Sequence, residues 1–444
     1  MSLFFGTDGI RGIVNDDLSY SLAYKCGNAL GEKYPGSKIL IGRDTRKSGT
    51  LIALAFSVGA MNAGANVTDV EICPSAGVSY LTRTLGYDFG VVISASHSSS
   101  EYNGIKIFDS TGRKIGTRKE EELERCFLKE TIAPYDKVGV YESNPRLNVK
   151  YEEFLAKSIS TSLKSKTIVL DGANGAVYKL APAVFRDNEA KIIGTFCKPD
   201  GLNINSDCGS QHIKRLQRYV QKYKADMGFA FDGDGDRVIA VDENGNIVDG
   251  DKILYLLALN YKEEGKLASG TVVGTRHTNL GVENALKKKG ISLIRTDIGD
   301  KYVSQKLTEN NLLIGGEQSG HIFVTDKQRT GDGILTALLI AEICVKKNKK
   351  LSEFFDFEMY KQTNINCLVS DKMRVINSEK LARVTDAEEK KIGTDGRIMV
   401  RVSGTEPYIR VMVETKDENL SNETAMRIAE TINEINKEFN TCAE

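Results

Sequence analysis

The sequence predicts an α/β fold: three consecutive α/β domains with mixed, mostly parallel sheets, followed by a smaller C-terminal α+β domain. Three observations lead to this prediction. Short runs rich in Val and Ile alternate with helical stretches, a rhythm typical of parallel sheets. The rhythm restarts twice, and each of the three segments has an apolar strand that ends in a polar loop. After residue 366, polar helical stretches and two strands around a turn replace this rhythm.

The first predicted domain covers residues 1–150. The apolar run Phe89 to Ile93 is expected to be a buried strand, because it has no polar alternation. Pro134 and Pro145 bracket a polar connection, which places the boundary near residue 150. The other elements expected here are strands at 38–44, 67–72 and 104–108 and helices near 48–63, 78–85 and 118–129.

The remaining predicted domains cover residues 151–250, 251–366 and 367–444. The second has strands at 167–172, 191–196, 227–232 and 238–243, with helices near 150–162, 177 and 213–223. The third has apolar segments at 253–261, 271–276, 292–297 and 312–317, with helices near 282–289 and 301–309. The fourth has strands at 397–402 and 408–414 and a final helix near 422–439.

Composition excludes several classes of function. Lys plus Arg and Asp plus Glu both number 60, so no overall charge attracts nucleic acid or an anionic membrane. The amino terminus does not resemble a secretory signal, and the longest lipophilic run, at 334–345, is too short to cross a bilayer. Eight scattered Cys show no metal-ligand spacing. We expect a cytoplasmic protein that acts on small molecules, as a monomer or a homodimer.

Polar loops follow an apolar strand in each of the first three domains. They contain Ser96 with His97, then the run from Asp232 to Arg237, then the run from Glu317 to His321. Ligands of open α/β sheets bind at the carboxyl ends of strands. The recurrence therefore predicts one shared central cleft, although a single polar loop of this kind is equally often a surface connection.

Alternating acids and glycines in the run from Asp232 to Arg237 predict a metal site. Asp232, Asp234 and Asp236 can face one point only if a cation offsets their repulsion. A calcium loop is the alternative, since Glu243 falls at its twelfth position, but Arg237 stands where that loop needs Gly. Mg²⁺ is favoured, because few protein ligands and open positions suit Mg²⁺ bound together with a phosphate.

Two further loops suit a sugar phosphate. Arg401 to Pro407, with Arg410 close behind, offers guanidinium groups, hydroxyls and amides to a phosphate, although an ordinary turn is the alternative. Glu317 to His321 offers donors and acceptors suited to sugar hydroxyls, and a helix cap is the alternative there.

Five motifs in order resemble the α-D-phosphohexomutase superfamily across nearly the whole chain. They are FGTDGIRG (5–12), SASH (94–97), DGDGDR (232–237), GGEQSGH (315–321) and RVSGTEPYIRVMVE (401–414). The resemblance implies the following sites: Ser96 as the phosphorylated serine; Ser96, Asp232, Asp234 and Asp236 around one Mg²⁺ per chain; Arg11, His97, Lys106, Arg237 and His321 as catalytic groups; Glu317 and Ser319 for the sugar; and Arg401, Ser403, Gly404, Thr405 and Arg410 for the phosphate.

The resemblance also implies a reaction. A hexosamine 6-phosphate, that of glucosamine, would be converted to the 1-phosphate through phosphorylated Ser96 and a sugar 1,6-bisphosphate. The alternatives are a glucose or mannose phosphate as substrate, a magnesium-dependent phosphatase, and a non-catalytic, metal-stabilised sugar-phosphate binding protein. One departure is notable: Ser98 and Ser99 replace the superfamily's usual Asn-Pro, and losing the proline is expected to loosen the loop.

Overall fold

The computed structural model describes residues 4–6, 8–403 and 406–441. Two compact units contain these residues. The first consists of Met1–Thr278 and Lys289–Phe355, and the second of Asn279–Lys288 and Asp356–Glu444. The first unit contains three α/β sheets, and the second contains the small C-terminal sheet.

The first sheet has seven strands in the order β1-β2-β6-β5-β3-β4-β7. Its strands are β1 Phe5–Gly6, β2 Gly9–Ile13, β3 Lys38–Arg43, β4 Asn66–Ile72, β5 Phe89–Ile93, β6 Tyr102–Asp109 and β7 Tyr141–Ser143, and its helices are α1 Tyr20–Lys33, α2 Gly49–Asn62, α3 Ser75–Leu85 and α4 Thr117–Glu124. Strands β5, β3, β4 and β7 are parallel, whereas β6 and β2 are antiparallel to their neighbours.

Helices α1 and α2 pack closely in this first domain. A Cβ atom on Gly27 would lie 2.0 Å from the Phe56 carbonyl oxygen, and one on Gly59 would lie 2.0 Å from the Tyr24 carbonyl oxygen. Glycine at both positions is therefore what allows the two helix backbones to approach.

The second sheet has five strands in the order β12-β11-β10-β8-β9. Its strands are β8 Thr167–Asp171, β9 Lys191–Thr195, β10 Met227–Phe231, β11 Val238–Asp242 and β12 Ile247–Val248, and its helices are α5 Asn148–Ala156, α6 Leu180–Asp187 and α7 Lys214–Tyr223. Strands β10 and β11 are entirely buried and antiparallel. The loop that joins them is the acidic run 232–237.

The third sheet has the order β14-β13-β15-β16. Its strands are β13 Thr271–Thr275, β14 Ser292–Thr296, β15 Ile314–Gly316 and β16 Ile322–Val324. Its helices are α8 Gly250–Glu263, α10 Asp300–Glu309 and α11 Gly333–Lys346, while α9 Leu280–Lys288 belongs to the second unit. The lipophilic run 334–345 lies in α11, which is almost wholly buried. Within the described ranges, no helix combines the length and the apolar character that crossing a membrane requires.

The second unit is a three-stranded antiparallel sheet with helices. Its strands are β17 Lys361–Leu368, β18 Gly396–Val402 and β19 Tyr408–Thr415, in the order β17-β19-β18, and its further helices are α12 Lys372–Ile376, α13 Glu379–Ile392 and α14 Glu418–Thr441. Ile409 and Val413 of β19 pack with Ile428 and Ile432 of α14 in its core.

The predicted fold class is confirmed: three α/β domains with mixed sheets precede a smaller domain of strands and helices. Several boundaries differ from the prediction. The helix expected at 118–129 ends at Glu124, after which the chain turns and buries Phe127 in the core of the first domain. The helix expected at 150–162 ends at Ala156. The predicted domain limits near residues 150, 250 and 366 stay predictions.

Candidate active site

Ser96 lies just beyond β5 in a left-handed backbone conformation, with φ of 53°. This conformation is uncommon for a residue other than glycine, and such residues concentrate at functional sites. The Ser96 amide donates to Ser94 Oγ at 2.9 Å. The buried Ser96 hydroxyl donates to Asp232 Oδ2 at 2.6 Å, and His97 Nδ1 lies 3.3 Å from the same hydroxyl. Ser96 therefore faces the acidic loop of the second domain.

The backbone of the Ser96 loop is held by Arg46. The fully buried Arg46 guanidinium pairs with Asp44 at 2.9 Å. It donates to the carbonyl oxygens of Ser96 at 3.0 Å and of Ser98 at 2.7 Å. It also donates to the carbonyl oxygens of Ser99 and Tyr102.

Asn205 adds a second anchor to this loop. Its Nδ2 donates to the carbonyl oxygens of both Ser96 and Ser98 at 2.9 Å. The loop in which Ser98 and Ser99 replace Asn-Pro is thus fixed through its carbonyl groups. Sequence reasoning missed Arg46 and Asn205, and the position of Arg46 just after a buried strand was the only signal available.

The three acids of the second loop converge. One carboxylate oxygen from each of Asp232, Asp234 and Asp236 lies within 4.8 Å of the other two, and all three residues are buried. Gly233 permits the close approach of this loop to Ser96, because a Cβ there would lie 2.5 Å from the Ser96 carbonyl oxygen.

The donor set of these acids fits a metal ion. Asp234 Oδ1 is buried and has no hydrogen-bond partner within the described part of the chain. Burial raises the pKa of Asp232 well above its ordinary value, and repulsion from Asp236 and Asp234 raises it further. A divalent cation would offset this repulsion and use the unpartnered oxygen. The three acids could therefore hold a metal ion.

Lys106, in the middle of β6, partly neutralises the acids. Its Nζ donates to Asp234 Oδ2 at 2.7 Å and to Asp236 Oδ2 at 3.1 Å, and it lies 3.1 Å from Asp8 Oδ2. Burial favours the neutral amine, but the three carboxylates outweigh it and raise the pKa of Lys106 well above its ordinary value. Lys106 is therefore a permanent positive charge in the site.

Asp8 joins further charges to Lys106. Its carboxylate pairs with Arg11 and with Lys114, and Lys114 also pairs with Asp300. Burial alone would raise the pKa of Asp8, but Lys106, Lys114 and Arg11 together hold it well below its ordinary value. Arg11 was predicted from its motif, whereas Asp8, Lys114 and Asp300 were missed. Asp8 belongs to the same amino-terminal motif, which was the available signal.

His321 follows the third loop and is buried between two acids. Its Nδ1 lies 3.5 Å from Asp236 Oδ1 and its Nε2 lies 3.6 Å from Asp300 Oδ2. Burial lowers the pKa of His321, but Asp236 and Asp300 outweigh burial, so the net shift is upward. In the neutral ring Nε2 accepts from the Gly331 amide at 3.2 Å, which leaves the proton on Nδ1 facing Asp236.

His97 and Arg237 have opposite electrostatic environments. Burial, together with Arg237 and Arg11, lowers the pKa of His97 to about 4, so its ring is neutral near pH 7. Burial disfavours the charge on Arg237, but Asp236 and Asp232 outweigh it and raise the pKa of Arg237. His97 can therefore accept a proton beside Ser96, while Arg237 stays cationic.

Glu317 and Ser319 line a cavity of about 320 Å³ together with Arg237. Glu317 Oε1 accepts from the Gly299 amide at 3.0 Å, and burial, followed by Asp300, raises the pKa of Glu317. A cavity of this size, lined by several hydrogen-bonding side chains, suits a small ligand such as a monosaccharide. Gln211 also lines the cavity and was missed by sequence reasoning.

The predicted phosphate-binding residues lie in the second unit. Arg401 and Arg410 are directly opposite each other in the β18–β19 pair. Burial and the neighbouring Arg410 lower the pKa of Arg401. Arg410 pairs with Glu406.

Lys372 was missed by sequence reasoning about this turn. Its Nζ donates to the carbonyl oxygen of Ser403 at 2.8 Å. The predicted residues Gly404 and Thr405 lie outside the described residues.

The first unit therefore brings nine described candidates, seven from the three predicted loops and two from strands β2 and β6, into neighbouring positions, and their assigned roles stay predictions. These residues are Arg11, Ser96, His97, Lys106, Asp232, Asp234, Asp236, Arg237 and His321.

Family models identify the class of protein that this fold and site define. Four models of the phosphoglucomutase/phosphomannomutase family match the chain. Alpha/beta/alpha domains I, II and III match residues 2–133, 149–245 and 249–361, and the C-terminal domain matches residues 365–431. The chain belongs to this family of phosphohexomutases.

Two relatives that are similar over nearly the whole chain are both named phosphoglucosamine mutase. The chain is 41% identical to a phosphoglucosamine mutase from Carboxydothermus hydrogenoformans, over 98% of this chain and 100% of that protein. It is 40% identical to a phosphoglucosamine mutase from Bacillus subtilis, over 97% of this chain and 98% of that protein.

Among solved structures, a phosphoglucomutase/phosphomannomutase family protein from Burkholderia thailandensis has a similar fold. It has a TM-score of 0.81 and 23% identity, over 98% of this chain and 97% of that chain. N-acetylphosphoglucosamine mutase from Aspergillus fumigatus, in complex with GlcNAc-6P and magnesium, has a TM-score of 0.72 and 17% identity, over 98% and 96%.

Proposed function

We propose that this chain interconverts glucosamine 6-phosphate and glucosamine 1-phosphate through phosphorylated Ser96 and glucosamine 1,6-bisphosphate. The observation that carries the proposal is the 2.6 Å hydrogen bond between the Ser96 hydroxyl and Asp232, within the group of three acids. Near-full-length similarity to relatives named phosphoglucosamine mutase supports the choice of substrate.

Phosphorylated Ser96 is the proposed phosphoryl donor. The sugar hydroxyl forms a new P–O bond as the bond between phosphorus and Ser96 Oγ breaks, so the phosphoryl group passes from serine to sugar. The proton that the sugar hydroxyl loses must reach Ser96 Oγ, which leaves as the neutral hydroxyl. His97, neutral and 3.3 Å from Ser96 Oγ, is proposed to carry this proton to Ser96 Oγ and to carry it back in the reverse step. Lys106 and Arg237 stay charged and stabilise the negative oxygens of the group in transfer.

We propose one Mg²⁺ per chain, held by Asp232, Asp234, Asp236 and the oxygen of Ser96 or its phosphate. When bound, the ion supplies positive charge that offsets the charge of the phosphoryl oxygens. The choice of Mg²⁺ rests on the small number of protein ligands and the proximity of a phosphorylated residue.

The bisphosphate is proposed to turn round between two half-reactions. The site offers one donor serine, so each phosphate of the intermediate must face Ser96 in turn. Glu317 and Ser319 are proposed to bind the sugar hydroxyls in both orientations. Arg401, Ser403 and Arg410, with Gly404 and Thr405, are proposed to bind the phosphate that is not being transferred.

Substitution of Ser96 tests the proposal. Ser96→Ala should abolish conversion of glucosamine 6-phosphate in a bisphosphate-primed assay, while Ser98→Ala, two residues along the same loop, should retain it. Near-full turnover by Ser96→Ala would exclude a phosphoserine mechanism. Release of inorganic phosphate as the main product would instead identify a phosphatase.

A second candidate substrate class is a glucose or mannose phosphate. The run from Glu101 to Gly104 resembles the branch of the superfamily that acts on those sugars. Turnover on the 6-phosphates of glucosamine, glucose and mannose, each primed with its own bisphosphate, separates the candidates. We expect glucosamine 6-phosphate to give the highest kcat/KM.

A further inference from the structure

A second cavity of about 520 Å³ lies in the first unit, between the segment that follows β6 and one face of α10. Its lining includes two carboxylates, Asp300 and Glu309, and more basic than acidic side chains. The basic lining residues are Arg113, Lys114, Arg118, Lys301 and Arg329. The cavity is therefore electropositive, unlike the acidic group beside Ser96.

Two of the basic groups are held without an acidic partner. Arg113 and Arg329 form no ion pair within the part of the chain that the structure describes. By contrast, Lys301 pairs with Glu120, Arg118 pairs with Glu122, and Lys114 pairs with Asp8 and Asp300. Arg113 and Arg329 are thus the lining cations whose charge stays available to a ligand.

A third arginine stands close to these two. Arg83 follows Ser79 by one turn on α3, and the Ser79 hydroxyl donates to the carbonyl oxygen of Gly112, next to Arg113. The side-chain amide of Gln328, next to Arg329, donates to the carbonyl oxygen of Ala76, also on α3. These contacts bring the three arginines to one side of α3. Arg83 Nε is buried and has no hydrogen-bond partner among the described residues.

The three guanidinium groups repel one another. Burial lowers the pKa of Arg113, and Arg329 lowers it further. The same two causes, in the same order, lower the pKa of Arg83. Asp109 attracts Arg113, but its Oδ1 already accepts from Thr111. A multiply charged anion would relieve this repulsion, and arginine pairs are suited to phosphate because each guanidinium can donate two parallel hydrogen bonds.

We propose that this cavity binds a phosphorylated small molecule through Arg113 and Arg329. The charge of nearby Arg83 adds to the positive electrostatic potential of the cavity. The hydroxyl of Ser304 on α10 supplies an additional donor, and the apolar side chains of Ile115 and Phe323 suit an organic part attached to the phosphate. This site differs from the proposed catalytic site, because neither arginine contacts Ser96 or the three acids.

Titration with inorganic pyrophosphate in metal-free buffer, followed by calorimetry, tests the site. The test variant is the full chain with Arg113→Gln and Arg329→Gln. The control variant carries Arg186→Gln and Arg218→Gln, which remove the same charge from two exposed arginines. We expect saturable binding of pyrophosphate by the parent chain. The test variant should lose at least about tenfold in affinity for one class of sites, whereas the affinity of the control variant should change by less than about twofold.

Mutase kinetics of the same variants separate this proposal from the proposed function. The KM for glucosamine 6-phosphate in the test variant should lie within about twofold of the parent value, since the catalytic residues are untouched. Absence of mutase activity in the parent chain and in both variants would refute the proposed function without affecting the proposal for the cavity. The cavity proposal is overturned if the parent chain shows no saturable binding, if the test variant binds as the parent does, or if the control loses as much affinity.

Discussion

Lys106 places a positive charge among the carboxylates near Ser96. It is buried among Asp8, Asp234 and Asp236 and contacts all three carboxylates. Positive charge fixed at this point costs no rearrangement when a phosphoryl group is transferred. The same residue reduces the repulsion that three neighbouring acids would otherwise impose on the folded chain.

Replacement of Lys106 by Met should therefore harm both activity and stability. We expect kcat to fall by about 10²–10³-fold, the usual cost of removing one preorganised charge stabiliser. The melting temperature should also fall, because buried carboxylates lose their partner. Lys191→Met, at an exposed position on β9, is the control and should change neither quantity. Normal kcat in Lys106→Met would show that its charge has no role in catalysis.

The buried carboxyl group of Asp171 should make the free energy of unfolding depend on pH. Burial raises the pKa of Asp171 to about 7, although the amides of Gly209 and Ala173 act against burial. The folded chain therefore binds a proton that the unfolded chain releases near pH 4, so this contribution to stability is lost as pH rises from about 4 to 7. Between pH 5 and 7 the loss is about 2–3 kcal/mol.

Asp171→Asn should flatten this part of the stability profile, as measured by denaturant unfolding at pH 5 and 7. Asp187→Asn, at an exposed position, should keep the profile of the parent chain. An unchanged slope in Asp171→Asn would mean that the buried carboxyl group is ionised throughout this range.

At the scale of elements, the Ser96 loop depends on contacts from outside itself. Arg46 and Asn205 hold its carbonyl groups, so the loop does not rely on a proline for its shape. The Ser99 amide donates no hydrogen bond within the described ranges, so a proline there would break none.

Ser99→Pro should accordingly change kcat by less than about twofold and raise stability by about 0.4–1 kcal/mol, by restricting the unfolded chain. Steady-state kinetics and denaturant unfolding measure the two quantities, with Ser99→Ala as the control for loss of the hydroxyl. A tenfold rise in kcat would contradict the account, since it would mean that a loose loop limits the reaction.

Strands made of continuous apolar residues were predictable, and mixed ones were not. β5 and β10 are buried on both faces and read directly from their Val, Ile and Phe content. The half-exposed β17, KQTNINCL, has no such run. Helix α1 was missed because the glycines that let it pack on α2 weaken its helical pattern.

The residues of the candidate site likewise fall into those that the sequence predicts and those that it does not. Ser96 and Asp232 follow apolar strands and lie in motifs that can be recognised in the sequence. Asp300 and Lys114 can be recognised as site residues only from the structure, in which they form an ion pair between the third domain and the first. Their contacts depend on packing between distant segments, which no local pattern encodes.

At the scale of the whole molecule, the candidate site exists only because separate domains converge. Ser96 and Asp232 are 136 positions apart in sequence and share a hydrogen bond. Lys106 reaches the second domain in the same manner. A cation bound by the three acids of the second domain and by Ser96 of the first would therefore join these two domains as well as serve catalysis.

Addition of a divalent cation should consequently stabilise the folded chain. At 100 times its dissociation constant, Mg²⁺ should contribute about 2.7 kcal/mol, and its removal by a chelator should abolish turnover. The melting temperature with and without MgCl₂, at constant ionic strength set with NaCl, measures the first effect. Asp234→Asn should respond much less, and an equal response would place the ion elsewhere.

The phosphorylation state of Ser96 is the most direct test of a phosphoserine mechanism. After incubation with isotope-labelled glucosamine 1,6-bisphosphate and Mg²⁺, mass spectrometry of the digested chain should find labelled phosphate on the peptide that contains Ser96. Further incubation with unlabelled glucosamine 6-phosphate should replace the label with unlabelled phosphate at the rate of turnover, because each cycle gives the Ser96 phosphate to one sugar oxygen and takes back the phosphate of the other. A chain that turns over substrate with no phosphate on Ser96, or with phosphate on another residue, would contradict the account.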